Sequence, residues 1–147
     1  MAGYLLDTNI VSALAPGKPR TGTDVGAWLR ARSEELFLPS IAVAEIEQGV
    51  CKIRRQGGLE RAGALSRWLD ELVLFYESRL LPFDAGAARL AGQMSDEAVA
   101  AGRHPGFADV AIAAIAAHHG LIILTRNARH FAGLGVAHLD PLTADLG

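Results

Sequence analysis

Asp7, Glu45 and Asp109 are carboxylates set in apolar surroundings. Leu5-Leu6 precedes the first, Ile41-Ala42-Val43-Ala44 and Ile46 flank the second, and Val110-Ala111-Ile112-Ala113-Ala114-Ile115 follows the third. An unpaired carboxylate taken out of water costs several kcal/mol or raises its pKa until it is neutral. Three such groups brought together would instead hold a divalent cation. Neither cysteine ligands nor a pair of histidines at metal spacing accompanies them, and hard oxygen donors select Mg²⁺ or Mn²⁺ over Zn²⁺. An ion of that kind can acidify a water and stabilise charge on a phosphate. The chemistry expected is hydrolysis of a phosphodiester.

Each acid has a competing role. Asp109 lies in the first turn of a helix carrying Ala and Ile on every face, and such a helix is buried. Its helix N-terminus offsets up to about 2 kcal/mol, less than the cost of the charge, so a cation is expected. The alternative is a first-turn acid facing solvent. Asp7 ends an apolar run, and in open parallel sheets ligands bind beyond the carboxyl ends of the strands; its alternative is a cap for the helix after it. Glu45 is about 200° around its helix from Val43 and about 100° from Ile46, which places it at the border of an apolar stripe. It could also be an ordinary solvated glutamate, as Glu47 is expected to be. Asn127 follows Leu124-Thr125-Arg126 at another strand end, where it could hydrogen-bond a water at the ion or cap the turn after it. Thr8, Asn9 and Thr125 are supporting candidates.

The elements that must position these groups are short. Tyr4–Leu6, Leu36–Leu38, Leu80–Phe83, Leu121–Leu124 and a stretch around Val136–His138 read as strands. Helices are expected from Ile10 to Leu14, from a cap at Asp24 through Leu29, and from a cap at Ser40 through Ile53, with Val43, Ile46, Val50 and Ile53 inward. Further helices are expected over Leu59–Tyr76, with Leu65, Trp68, Leu69 and Leu72 inward, from a cap at Asp84 to about Ala101, over Ala108–His118, and as a turn over Asn127–Phe131. Pro16 to Thr23 and Gly102 to Gly106 read as loops. Strands alternate with helices, and the strands are continuous apolar runs. That pattern is an α/β fold, a parallel sheet covered on both faces.

Composition sets the outer limits. The 147 residues, half of them hydrophobic, suit one domain spanning 1–147. A net charge of −2 carries no basic excess; a nucleic-acid partner would need a local basic groove. The single cysteine, Cys51, allows no internal disulfide and is expected to be buried on its helix. No secretory signal or membrane span is visible, so a cytoplasmic protein without a membrane partner is expected.

Taken in order, Leu5-Leu6-Asp7-Thr8-Asn9, Ala44-Glu45-Ile46, Leu81-Pro82-Phe83-Asp84, Asp109 ahead of Ile112-Ala113-Ala114, and Leu124-Thr125-Arg126-Asn127 resemble the PIN-domain family. They are most similar in style to the VapC and FitB-like toxins of bacterial type II toxin–antitoxin systems. The likeness runs from Tyr4 to about Pro141. It implies a three-layer α/β/α domain with a central parallel sheet. It also implies a Mg²⁺- or Mn²⁺-dependent endoribonuclease acting on tRNA or other structured RNA, a cognate antitoxin that covers the site, and a homodimer. The family's metal-binding and catalytic acids fall on Asp7, Glu45 and Asp109. Its fourth position, usually acidic, falls on Asn127, which weakens any second metal site.

Substrate contacts are sought among Arg30, Arg32, Lys52, Arg54, Arg55, Arg126, Arg129 and His130. Arg126 is preferred because it adjoins Asn127; its alternative is an ion pair with one of the acids. The pair His118-His119 reads as a helix C-terminal feature, and His104 has no assigned role. Against the enzyme stands a second function, a catalytically weak or inactive module of the same fold that binds RNA or an antitoxin, favoured by Asn127. A phosphatase is the third; Thr8 and Asn9 after Asp7 do not make the expected nucleophile motif.

Overall fold

A computed structural model describes residues 3–18 and 23–143, with the side chains of Thr23 and Asp24 outside the description. Five apolar runs pair into one sheet: β1 (Tyr4–Leu6), β2 (Leu36–Pro39), β3 (Leu80–Leu81), β4 (Ile122–Leu124) and β5 (His138–Leu139). Their spatial order is β3-β2-β1-β4-β5, and every neighbouring pair is parallel. Tyr4 lies opposite both Leu36 and Ile122, and Leu6 opposite Leu124.

Among the described residues seven α-helices connect and cover the strands: α1 (Thr8–Ala13), α2 (Thr23–Ala31), α3 (Ser40–Arg55), α4 (Leu59–Tyr76), α5 (Ala85–Ala100), α6 (Phe107–His119) and α7 (Ala128–Phe131). Successive strand residues point to opposite faces. Leu6 and Leu124 therefore join a core with Val11, Trp28, Ile46, Val50 and Leu65. Their neighbours Leu5 and Ile123 join the other, with Ala91, Met94, Ile112, Ile115 and Phe131. Two cores on one sheet give the three layers α/β/α.

Local chemistry explains most element ends. Gly120, at φ +66°, takes the left-handed conformation that closes α6. The Asp84 carboxylate accepts from the Ala87 N–H at 2.9 Å and starts α5. β3 stops at Leu81, short of the expected Phe83, because Pro82 has no N–H for the ladder. The last strand begins at His138, two residues later than expected.

Three expectations need correction or fall outside the description. Ser40 is the first residue of α3, not its cap; Pro39 holds that position, and the Ser40 hydroxyl accepts instead from the Phe83 N–H at 3.1 Å. Cys51 is exposed, because one helical step, about 100°, carries it off the stripe that buries Val50. The capping role given to Asp24 concerns a side chain outside the described residues, as does the loop over residues 19–22. Among the described residues no helix is long and apolar enough to cross a membrane.

Candidate metal centre

The strand order fixes where a site can form. From β1 the chain runs outward through β2 to β3, then returns to place β4 on the other side of β1. Helices diverge at such a reversal, and a crevice opens beyond the carboxyl ends of the two strands. Asp7 stands at the end of β1 and Thr125 at the end of β4. The Asp7 N–H donates to the Leu124 carbonyl at 2.9 Å, and the Thr125 N–H to the Leu139 carbonyl at 3.0 Å. The sheet thus holds both backbones at the crevice.

Asp7 is only 5% exposed. One carboxylate oxygen accepts from the Thr8 N–H at 2.8 Å, and the other from the Thr125 hydroxyl at 2.7 Å. Thr125 is fully buried, and its oxygen also accepts from the Asn127 N–H at 2.9 Å. Asn9 braces the same turn, with its side-chain oxygen accepting from the Arg126 N–H at 3.2 Å. Burial pushes the Asp7 pKa up. The hydrogen bonds from Thr125 and Thr8 oppose that, and the charges of Asp109 and Glu45 add to it.

Glu45 is exposed on α3, and Thr8 ties it to the strand end: the Thr8 hydroxyl donates to its Oε1 at 2.6 Å. Asp109 sits in the first turn of α6 with its side chain 26% exposed. It is less buried than its helix suggests, and it has a neighbour in His130, whose Nδ1 lies 3.2 Å from Oδ2. Burial raises its pKa, His130 opposes, and Glu45 adds to the rise. Asp7 therefore feels both other carboxylates, and Asp109 feels Glu45.

The crevice gathers these three acids without closing them on one point. Among the described residues, no three His, Cys, Asp or Glu side chains form a ready-made cage. Glu45 is engaged by Thr8 and Asp109 by His130. Even so, the donor set suits a hard divalent ion. Asp7 and Asp109 both carry carboxylates whose charge is disfavoured as they stand, the imbalance a cation relieves.

Asn127 reaches the same strand end, just before α7, and its side chain makes no capping hydrogen bond. Asn127 nonetheless holds the N-cap position of that helix. The Arg126 side chain is exposed, and it forms no ion pair among the described residues. Of the other basic candidates, Arg32 stacks over Trp28 at 4.5 Å. Lys52, Arg54 and Arg55 fill the last turn of α3, where positive charge suits the helix end. His118 stands 4.0 Å from Asp84, away from the acids.

The PIN domain family profile matches residues 4–135, from β1 through α7, including Asp7, Glu45, Asp109, Thr125 and Asn127. The chain belongs to the PIN-domain family. It is similar to the VapC ribonuclease Y4jK of Sinorhizobium fredii, at 33% identity over 93% of this chain and 96% of that one. Toxin FitB of Neisseria gonorrhoeae is 33% identical over 93% of this chain and 96% of its own. The crystal structure of FitAcB from Neisseria gonorrhoeae superposes with a TM-score of 0.83 at 32% identity, covering 96% of this chain and 99% of that one. In this PIN domain, as the motifs led one to expect, a central parallel sheet lies between two helical layers.

Proposed function

We propose that this PIN domain is a divalent-metal-dependent endoribonuclease that hydrolyses RNA phosphodiester bonds as the toxin of a type II toxin–antitoxin pair. One observation supports the reading: at the β1/β4 reversal burial, and after it the neighbouring carboxylates, raise the pKa of Asp7 and of Asp109, with Glu45 acting on both. The names of the relatives, ribonuclease and toxin, support it.

In this reading Asp7, Asp109 and Glu45 would hold Mg²⁺ or Mn²⁺. When bound, the ion supplies Lewis acidity to the phosphate and to the attacking water. Glu45, the most exposed of the three, orients that water or takes its proton. Thr125 and the Thr8 N–H fix both oxygens of Asp7, so its orientation is set before an ion arrives. The Thr8 hydroxyl aims Glu45 at the same crevice. Asn127 offers a neutral hydrogen-bonding group, and Arg126 a cation for a backbone phosphate. An antitoxin covering the crevice would silence the enzyme. The working unit is a homodimer, and structured RNA such as tRNA is the substrate class.

RNA cleavage with Mg²⁺ or Mn²⁺, against EDTA, is the test. The reading requires cleavage that EDTA stops and that both Asp7→Asn and Asp109→Asn lower severely. Undiminished cleavage by those two variants would sink it.

A further inference from the structure

Asp109 also lines a cavity of about 430 Å³ between the end of α5, the loop before α6, and α7. That volume falls in the range of roughly 300–1,000 Å³ typical of small-ligand sites. Its walls carry Arg103, His104, Arg129 and His130 against the single acid Asp109. On a chain of net charge −2, this is a local cationic surplus beside the acidic centre. Ala98, Pro105 and Leu134 supply an apolar side.

Arg103 is seated here by a glycine. A Cβ on Gly133 would lie 2.6 Å from Nη1, 2.7 Å from Cζ and 2.8 Å from Nε. The guanidinium plane rests on the bare Gly133 backbone, in a place any other residue would fill. Among the described residues Arg103 has no ion-pair partner. A positioned and unpaired guanidinium is a group prepared for an oxyanion.

We infer that this cavity is a nucleotide subsite, which takes the phosphate of an RNA residue next to the cleaved bond on Arg103 and Arg129, with its sugar and base against Ala98, Pro105 and Leu134. The inference rests on the ribonuclease reading for its role in catalysis, but not for the binding itself. A nucleotide fits better than an acidic peptide because the cavity pairs its cations with an apolar wall and opens directly onto Asp109.

The test uses the full-length Asp7→Asn protein, to prevent turnover, and an equimolar mixture of the four nucleoside 5′-monophosphates, followed by backbone amide NMR. The amides of residues 102–104, 106 and 129–134 should shift, at concentrations where inorganic phosphate alone shifts them less. Adding Arg103→Ala should weaken binding about tenfold, as for one lost charge-assisted contact. Adding Gly133→Ala should do much the same: it keeps every charge, its φ is not in the left-handed range, and only Arg103 must move. In the otherwise native enzyme, Arg103→Ala should raise KM for RNA about tenfold and change kcat less than about twofold. Shifts confined to other regions, binding by both variants undiminished from the Asp7→Asn parent, or binding of a hexaglutamate peptide in place of the nucleotides would overturn the subsite. The two claims fail separately. Absent cleavage and absent Mn²⁺ binding by the native protein would remove the ribonuclease reading, while the nucleotide titration would still decide the subsite.

Discussion

Asp7 and Asp109 face one crevice, but the chain builds them in opposite ways. Asp7 stands where two parallel strands end, nearly all of it is buried, and both its oxygens accept hydrogen bonds from fixed donors. Asp109 stands on a helix whose next seven residues, Val110 to Ala116, are all buried, yet its carboxylate is a quarter exposed and, among the described residues, its one polar side-chain contact is His130. Rigidity at the first comes from the sheet, and latitude at the second from a single contact that a cation can replace. The strand end is thus a fixed anchor, while the helix side can adjust.

The comparison breaks most sharply if the anchor proves dispensable. Asp7→Asn should lower metal-dependent RNA cleavage more than about 100-fold, beyond what loss of an outer-shell partner costs. Asp109→Asn should also be severe, but part of its loss should return at high Mn²⁺, because the anchor remains. Initial rates across a Mn²⁺ series would show the difference, and equal rescue of both variants would dissolve it.

Thr125→Val tests what makes the anchor rigid. It removes the hydroxyl that donates to Asp7 and leaves the Asn127 N–H without its acceptor. Metal affinity should fall about 10–100-fold, and denaturant melts should show a loss of about 1–3 kcal/mol. Calorimetry on the folded variant separates the two effects.

The pH dependence gives a third contrast. Asp7 has a folded pKa above its ordinary 3.8, so the native state holds the proton more tightly than the unfolded chain. Its stabilising effect is fully present below about pH 3.8 and is lost as the pH rises through the raised value. Without metal, the ionised carboxylate is therefore a cost at neutral pH, and Asp109 adds a cost of the same sign. The difference in Tm between wild type and Asp7→Asn should move in favour of the variant from pH 4 to 7, and saturating Mn²⁺ should reverse it. A difference independent of pH would contradict the raised pKa.

His130→Ala is the smallest change. It frees the Asp109 oxygen that His130 meets at 3.2 Å. Mn²⁺ affinity should stay the same or rise by no more than about fivefold, the scale of an exposed ion pair worth about 1 kcal/mol. A fall of tenfold or more would make the histidine part of the site and not a competitor for it.

Much of this arrangement was legible before any coordinates. The β runs around Leu5, Leu38 and Ile123 are apolar because both faces of the sheet are covered, and that lack of alternation predicts a parallel sheet. The strand-end position of Asp7 and the apolar run after Asp109 mark those acids on physical grounds. Glu45 and Asn127 are different: nothing in their local pattern separates a ligand from a surface group, and the family resemblance carried them. What stayed hidden was contact between distant segments. The Thr8 hydroxyl reaches Glu45 across 37 positions, and Thr125 reaches Asp7 across 118. No periodicity reports such pairs. Arg103 is hidden for the same reason: a loop arginine has no pattern, and its significance comes from Gly133, which only the fold brings beneath it. Cys51 misled because its residue type favours burial, whereas its angular position on α3 decides exposure.

The three carboxylates should jointly bind a divalent cation. Isothermal titration of Mn²⁺ into the wild-type protein and into the Asp7→Asn/Asp109→Asn double variant decides this. Saturable binding of about one ion per chain is expected in the wild type, reversed by EDTA and absent from the folded double variant. Binding of equal stoichiometry and affinity in both proteins would contradict it.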